Sequence, residues 1–247
     1  MTFATIIVNH GTSKIENQKE AIGFLRKKVK EKYKNSLVKS YMASDKIRKK
    51  VEDKKLCQDL EEILNECRKK NIKDIRFLMA YVLRGIEYEK VMEKANQLNK
   101  DGFFTFTFTK ALLGEENNDE ILEFLEDLGE SDPSLVIFHG SPKKNLEEFE
   151  KFEYKIKKSD KNLYFSSFED RKFDDLIGEF KEKNIEKLKV IPFLIIVGNH
   201  VDKDIEGEKE NSYKKVFEEN GIKINLVKKS LVLYDKIAEI FVEKLEK

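Results

Sequence analysis

Residues 190–207 read VIPFLIIVGNHVDKDIEG, and this stretch decides the fold. An unbroken run of Val, Ile, Leu and Phe of strand length, without polar alternation, predicts a strand buried on both faces. Such strands belong in parallel sheets covered by helices. The run stops at Gly198-Asn199-His200 and gives way to acids at Asp202, Asp204 and Glu206. In open parallel sheets, ligands bind beyond the carboxyl ends of the strands. His200 is therefore expected at the rim of a cleft, with Gly198 letting the backbone leave the strand at an unusual angle.

Outward from this stretch the chain alternates strand and helix. Strands are predicted over residues 4–8, 37–42, 75–83 and 103–108, and again over 135–138, 162–167, 190–197 and 221–227. Amphipathic helices are predicted over 16–34, 45–70, 88–99, 119–127, 144–157, 173–183 and 232–245, from apolar residues at helical spacing. Gly129-Glu130-Ser131-Asp132-Pro133 brackets polar residues with Gly and Pro and marks a boundary.

Two elements of the first half recur in the second. A strand followed by His-Gly-hydroxyl occurs at His10-Gly11-Thr12 and at His139-Gly140-Ser141, 129 residues apart. Asn-Ile followed by a long apolar run ending in Gly occurs at Asn71 to Gly85 and at Asn184 to Gly198, 113 residues apart. The expected fold is α/β: two similar lobes, 1–129 and 130–247, each a parallel sheet flanked by helices, facing each other across a cleft. The terminal helix is free to pack across to the first lobe.

Composition narrows the function. Charged residues make up 38% of the chain but nearly cancel, 48 basic against 47 acidic, which gives no global argument for nucleic acid or an anionic membrane surface. No apolar run approaches the ~20 residues of a membrane span, and the N-terminus lacks the basic and long apolar segments of an export signal. A cytoplasmic protein is expected. The two cysteines, Cys57 and Cys67, form neither a zinc knuckle nor a disulfide framework. No G-x-x-x-x-G-K-[ST], G-x-G-x-x-G or G-x-S-x-G occurs, so the usual nucleotide cradles and the hydrolase elbow are absent. Phosphatases with a catalytic histidine need Arg immediately before it, where this chain has Asn9 and Phe138.

All three histidines fall at or just beyond the carboxyl end of a predicted strand. Imidazole is the commonest side-chain metal ligand and titrates near neutrality. His139 and His200, with Glu169 after the strand at 162–167, offer two nitrogens and one oxygen with positions left for exchange. Read alone, His10-Gly11-Thr12 is equally a turn capping a helix through Thr12 or Ser13, and Glu169-Asp170 a solvated turn. The acids at 202, 204 and 206 lack the glycine and closing acid of a calcium loop and read as a polar, substrate-facing rim.

These ordered motifs resemble the anaerobic sirohydrochlorin cobaltochelatase family of ATP-independent, class II chelatases. The matching residues are IIVNHGTS near the start, the turn Gly85-Ile86-Glu87-Tyr88, FHGS at 138–141, the strand ending at Glu169, and PFLIIVGNHVDKDIEG with Pro192, Gly198, His200 and Asp204. The resemblance implies insertion of Co²⁺ into sirohydrochlorin or a close relative during cobalamin synthesis. Alternatives are Fe²⁺ insertion for sirohaem or haem, or a non-catalytic tetrapyrrole or metal carrier. It implies His139, Glu169 and His200 as the metal site, His139 and Glu87 as catalytic groups, and His10, Tyr88 and Asp204 facing the tetrapyrrole. The divalent metal is a substrate, Co²⁺ first with Fe²⁺ and Ni²⁺ as alternatives. No nucleotide, nucleic acid or membrane is expected, and a homo-oligomer is compatible with it. The chain departs from the family at Asn199, where an aspartate beside the ligand is expected, at Tyr81 in place of a histidine, and at Pro142-Lys143-Lys144 and Lys229 to Val232.

Overall fold

The computed structural model describes residues 3–53, 56, 58–114, 116–130, 132–140, 146–159 and 161–246. The chain opens with β1 (Phe3–Asn9), α1 (Ile15–Lys32), β2 (Leu37–Met42), a short α2 (Asp45–Arg48) and α3 (Leu60–Lys69). It continues through β3 (Asp74–Met79), α4 (Ile86–Leu98) and β4 (Thr105–Phe108). A second series follows: α5 (Asn118–Gly129), β5 (Ser134–Phe138), α6 (Leu146–Lys158), β6 (Leu163–Ser167) and α7 (Phe173–Glu182). Then come β7 (Lys187–Pro192), α8 (Tyr213–Glu219), β8 (Lys223–Leu226) and the terminal α9 (Asp235–Glu243).

Each series builds one four-stranded sheet, ordered β2-β1-β3-β4 in the first and β6-β5-β7-β8 in the second. Every strand pair is parallel. β1, β5 and β6 are buried along their whole length, including the polar Thr5, Asn9, Ser166 and Ser167, as expected of parallel strands in a covered sheet. The edge strands β4 and β8 alternate exposed and half-buried residues.

The chain divides into two units, Met1–Gly114 with Leu231–Lys247, and Glu115–Ser230. The boundary expected from the sequence lies at 129/130. The α5 helix belongs to the second unit, where Lys155 on α6 pairs with Asp119. The terminal helix belongs to the first: Lys28 of α1 pairs with Asp235 at 2.5 Å, and Arg76 of β3 donates to the Leu245 carbonyl at 2.9 Å.

The internal echo extends to the backbone. Asn71 and Asn184, 113 residues apart, both take left-handed φ values, +52° and +53°. In each case the next amide returns to the helix, Ile72 to Cys67 at 2.9 Å and Ile185 to Phe180 at 2.8 Å. This is the Schellman closure that a left-handed Asn allows.

Three predicted elements come out shorter. The helix expected over 45–70 is interrupted, because Asp59 starts α3 with a capping box in which its side chain accepts from Glu61 N–H and Glu62 accepts from Asp59 N–H. The strand expected over 75–83 ends at Met79, where Tyr81 N–H turns back to the Met79 carbonyl at 2.8 Å. The deciding run likewise leaves the sheet at Pro192, where Leu194 N–H returns to the Pro192 carbonyl at 2.9 Å. Phe193 and Val197 are still buried. Phe193 N–H still donates to the Ile137 carbonyl of β5 at 2.7 Å, and the apolar residues 194–197 beyond it are buried or half-buried without belonging to β7. Val197 N–H is satisfied by Ser230 Oγ at 3.1 Å.

Candidate metal centre

The candidate centre lies at the carboxyl edge of the second sheet. His139 directly follows β5 and is exposed. Gly140 next to it has φ +103° and faces Glu169: a Cβ built there would stand 2.7 Å from Glu169 Cγ and Cδ and 2.8 Å from Oε2. Only glycine admits both this backbone conformation and that approach. The Glu169 carboxyl thus lies over the peptide next to His139, held by the loop after β6.

His200 reaches the same edge by another route. It sits eight residues beyond β7, at the start of one wide π turn, Val201–Ile205, closed by Glu206 N–H to the Val201 carbonyl at 3.0 Å. Its ring centroid is 4.9 Å from that of His139, with the planes at 85°. Phe168 stacks on His200 at 5.2 Å and meets His139 edge-on at 6.2 Å. Two imidazoles, a carboxylate and one aromatic wall therefore gather where sequence placed His139, Glu169 and His200. Among the described residues, no three His, Cys, Asp or Glu side chains form a ready-made metal cluster. The arrangement is an imidazole pair with a neighbouring carboxylate, open on its solvent side.

Asp204, expected to face the tetrapyrrole, has both carboxylate oxygens engaged within the protein. Oδ2 lies 2.8 Å from His200 Nδ1 and Oδ1 accepts from Arg171 Nη2 at 3.0 Å. Burial pushes this carboxyl up, but the hydrogen bonds from His200 and Arg171 outweigh it and hold it below the usual carboxylate range. The orienting carboxylate expected beside His200, where Asn199 stands, is thus supplied four residues on. Arg171, which nothing in the sequence singles out, is the residue missed beside this contact. The other acids of the Asp204 run do other things: Asp202 is exposed and Glu206 pairs with Lys228.

The first unit holds the remaining expected residues. His10 follows β1 and is exposed, with Gly11 at φ +95°. Thr12 Oγ1 accepts from Lys14 N–H at 3.2 Å, just ahead of α1 rather than as its cap. Glu87 lies in the first turn of α4, half-buried, 3.3 Å from Lys90. It stands 113 residues before His200, so each is the second residue after the matching glycine, Gly85 or Gly198. Tyr88, expected at the tetrapyrrole, packs in the core. It is 3% exposed, and its hydroxyl donates to the Thr109 carbonyl at 2.8 Å. Tyr81 meets its ring edge-on at 6.0 Å. Ser141 and the stretch from Pro142 to Lys144 lie outside the described residues.

Two parallel α/β units of the same strand order, with histidines at the carboxyl edges of their sheets, define the fold of a metal chelatase. The structure superposes on the SirB sirohydrochlorin chelatase of Bacillus subtilis determined with Fe³⁺, with a TM-score of 0.70 at 13% identity over 100% of this chain and 95% of that one. The cobalt complex of SirB from Bacillus subtilis subspecies spizizenii gives 0.68 at 13% identity, covering 100% and 94%. The multi-domain DR2241 of Deinococcus radiodurans, described as structurally similar to chelatases, gives 0.66 at 11% identity, covering 98% of this chain and 54% of that one. No curated protein sequence matches. The family model of the cobalt chelatases (CbiK) matches residues 3–247, and the chain belongs to that family.

Proposed function

We propose that the protein inserts Co²⁺ into sirohydrochlorin, or a closely related tetrapyrrole, without nucleotide hydrolysis, on a metal site formed by His139, Glu169 and His200. The observation that carries this reading is the meeting of the His139 and His200 rings at 4.9 Å, beside a Glu169 carboxyl lodged over Gly140. Two nitrogens and one oxygen suit a divalent first-row metal and leave coordination positions open. Half-exposed ligands also suit a metal that must be handed on rather than kept.

Insertion releases two pyrrole N–H protons as the metal forms bonds to the ring nitrogens. A neutral imidazole is matched to accept such a proton near pH 7, and His139, at the open edge, takes that role. His10 and Glu87 occupy matching positions of the first sheet and are assigned to holding the macrocycle, Glu87 also to receiving a proton. Tyr88 is left out, because its ring and hydroxyl are used in the core.

The test is anaerobic mixing of protein, Co²⁺ and sirohydrochlorin, followed by the change in macrocycle absorbance. Acceleration over the protein-free rate, lost in His139→Ala and His200→Ala, is expected; an unaccelerated reaction refutes the enzyme reading. SirB has been described both with Fe³⁺ and with cobalt, so Fe²⁺ is run in competition. Faster Fe²⁺ insertion moves the assignment to iron on the same site. Tight, stoichiometric retention of the metallated product without turnover identifies a carrier.

A further inference from the structure

We propose that Asp204 and Arg171 are positioning residues that hold the His200 imidazole with its proton on Nδ1, leaving Nε2 as the metal-binding atom. This rests on the reading of His200 as a ligand and adds to it which nitrogen binds and what sets the choice.

The hydrogen-bond chemistry is one-directional. An ionised carboxylate only accepts, so at 2.8 Å from Asp204 Oδ2 the Nδ1 of His200 must donate. A neutral imidazole carries one proton, so Nε2 then bears the lone pair. The carboxylate is itself fixed: its other oxygen accepts from Arg171 Nη2 at 3.0 Å, and Arg171 Nη1 donates to the Asn211 carbonyl. The guanidinium sits 5.5 Å from the Tyr213 ring and 6.0 Å from that of Phe173. At the backbone, Ser166 Oγ donates to the Arg171 carbonyl at 2.8 Å, while the buried Tyr213 hydroxyl donates to the Ser167 carbonyl at 2.8 Å.

Exposure follows the same order. The His200 side chain is 53% exposed, against 21% for Asp204 and 18% for Arg171, so a solvent-facing ring rests on a mostly buried support. Phe168 stacks on the ring and limits its rotation.

The backbone is shaped for this contact. His200 caps the π turn and Asp204 lies within it, a geometry found mostly as single turns and often at functional sites. Gly207 follows the turn without a side chain, because a Cβ there would run into the Lys203 carbonyl. Partners that fix the tautomer and orientation of a ligating histidine are worth about 10–100-fold in metal affinity.

The chain has three histidines, so long-range ¹H–¹⁵N spectra of the metal-free protein contain three imidazole systems, assigned with His10→Ala, His139→Ala and His200→Ala. At a pH where imidazole is neutral, His200 is expected to carry its proton on Nδ1, and in Asp204→Ala to shift toward Nε2. A wild-type His200 protonated on Nε2 overturns the proposal, and this spectrum needs no variant at position 204 to fold. Equilibrium Co²⁺ titration is the second arm. Asp204→Ala and Arg171→Gln are expected to weaken binding about 10–100-fold, with Arg171→Lys restoring part of the loss. Wild-type affinity in Asp204→Ala overturns the positioning role. If the wild-type protein binds no Co²⁺, the metal-site reading falls, while the tautomer is still decided by the spectra.

Discussion

Replacing Gly140 by alanine separates a backbone cost from a site cost. At φ +103° an L side chain is strained, at about 1–3 kcal/mol. The new Cβ would stand 2.7 Å from Glu169 Cγ and Cδ, well inside van der Waals contact, and the flexible glutamate is what must move. The carboxyl then leaves the His139 peptide, and the centre keeps only its two imidazoles. The expected outcome is a melting temperature lowered by roughly 2–4 °C per kcal/mol lost, together with a fall in Co²⁺ affinity of at least about tenfold. Gly11→Ala is the matched control in the first unit. Its φ is +95°, and its Cβ would meet Met42 at 3.1–3.2 Å, so stability falls similarly while Co²⁺ affinity holds. Isothermal titration alongside thermal melts reads both quantities. A destabilised Gly140→Ala that binds Co²⁺ like the wild type would refute the placing of Glu169 by Gly140.

Tyr88→Phe removes the hydroxyl that donates to the Thr109 carbonyl and should cost about 1–3 kcal/mol of stability, read by urea denaturation, with macrocycle affinity unchanged. Loss of macrocycle binding in the folded variant would return Tyr88 to the binding surface. Burial pushes the Cys67 thiol up to about 11. In a Cys57→Ser background, native Cys67 should therefore react with a disulfide reagent at pH 8 at least ~100-fold more slowly than after unfolding; equal rates refute its burial. For Glu153, burial pushes the carboxyl up, but the hydrogen bonds from Lys157 at 2.7 Å and Lys172 at 3.0 Å outweigh it and leave it below the usual glutamate range. A group depressed in the folded state contributes stability above its unfolded value, about pH 4.3, and loses it as pH falls through the folded one. Glu153→Gln should accordingly be more destabilising at pH 7 than at pH 3, and an equal cost at both would exclude the ion pairs as the cause.

The sheets were legible because buried parallel strands are predominantly apolar, as Ile6-Ile7-Val8 of β1, Leu135 to Phe138 of β5 and Leu163-Tyr164-Phe165 of β6 are. The grouping of His139, Glu169 and His200 was legible for a related reason: neighbouring parallel strands deliver their ends to one edge. Where periodicity alone misled, a local rule was present. The Asp59-x-x-Glu62 box stops the helix expected over 45–70, and the chain turns away from β7 at Leu194, whose N–H returns to the Pro192 carbonyl, although residues 194–197 are still apolar. The burial of Tyr88 was not legible, because a tyrosine in a helix's first turn gives no sign of which way its ring faces. Arg171 was not legible at all. Its partners, Asp204 and Asn211, are 33 and 40 residues away, and only the folded loop and the π turn bring them together.

The division of the chain also makes the first unit depend on the last residues to be synthesised. The second unit, Glu115–Ser230, is continuous in sequence and has all of its strands once β8 has emerged from the ribosome. The first unit, whose residues emerge earliest, must wait for Leu231–Lys247, because Ile237, Phe241 and Val242 of α9 are buried and Lys244 donates to the Ala111 and Leu112 carbonyls. The first unit is therefore closed by segments from both sides of the second in sequence, so loss of Leu231–Lys247 would open the first unit while leaving every residue of the second, with its imidazole pair, in place.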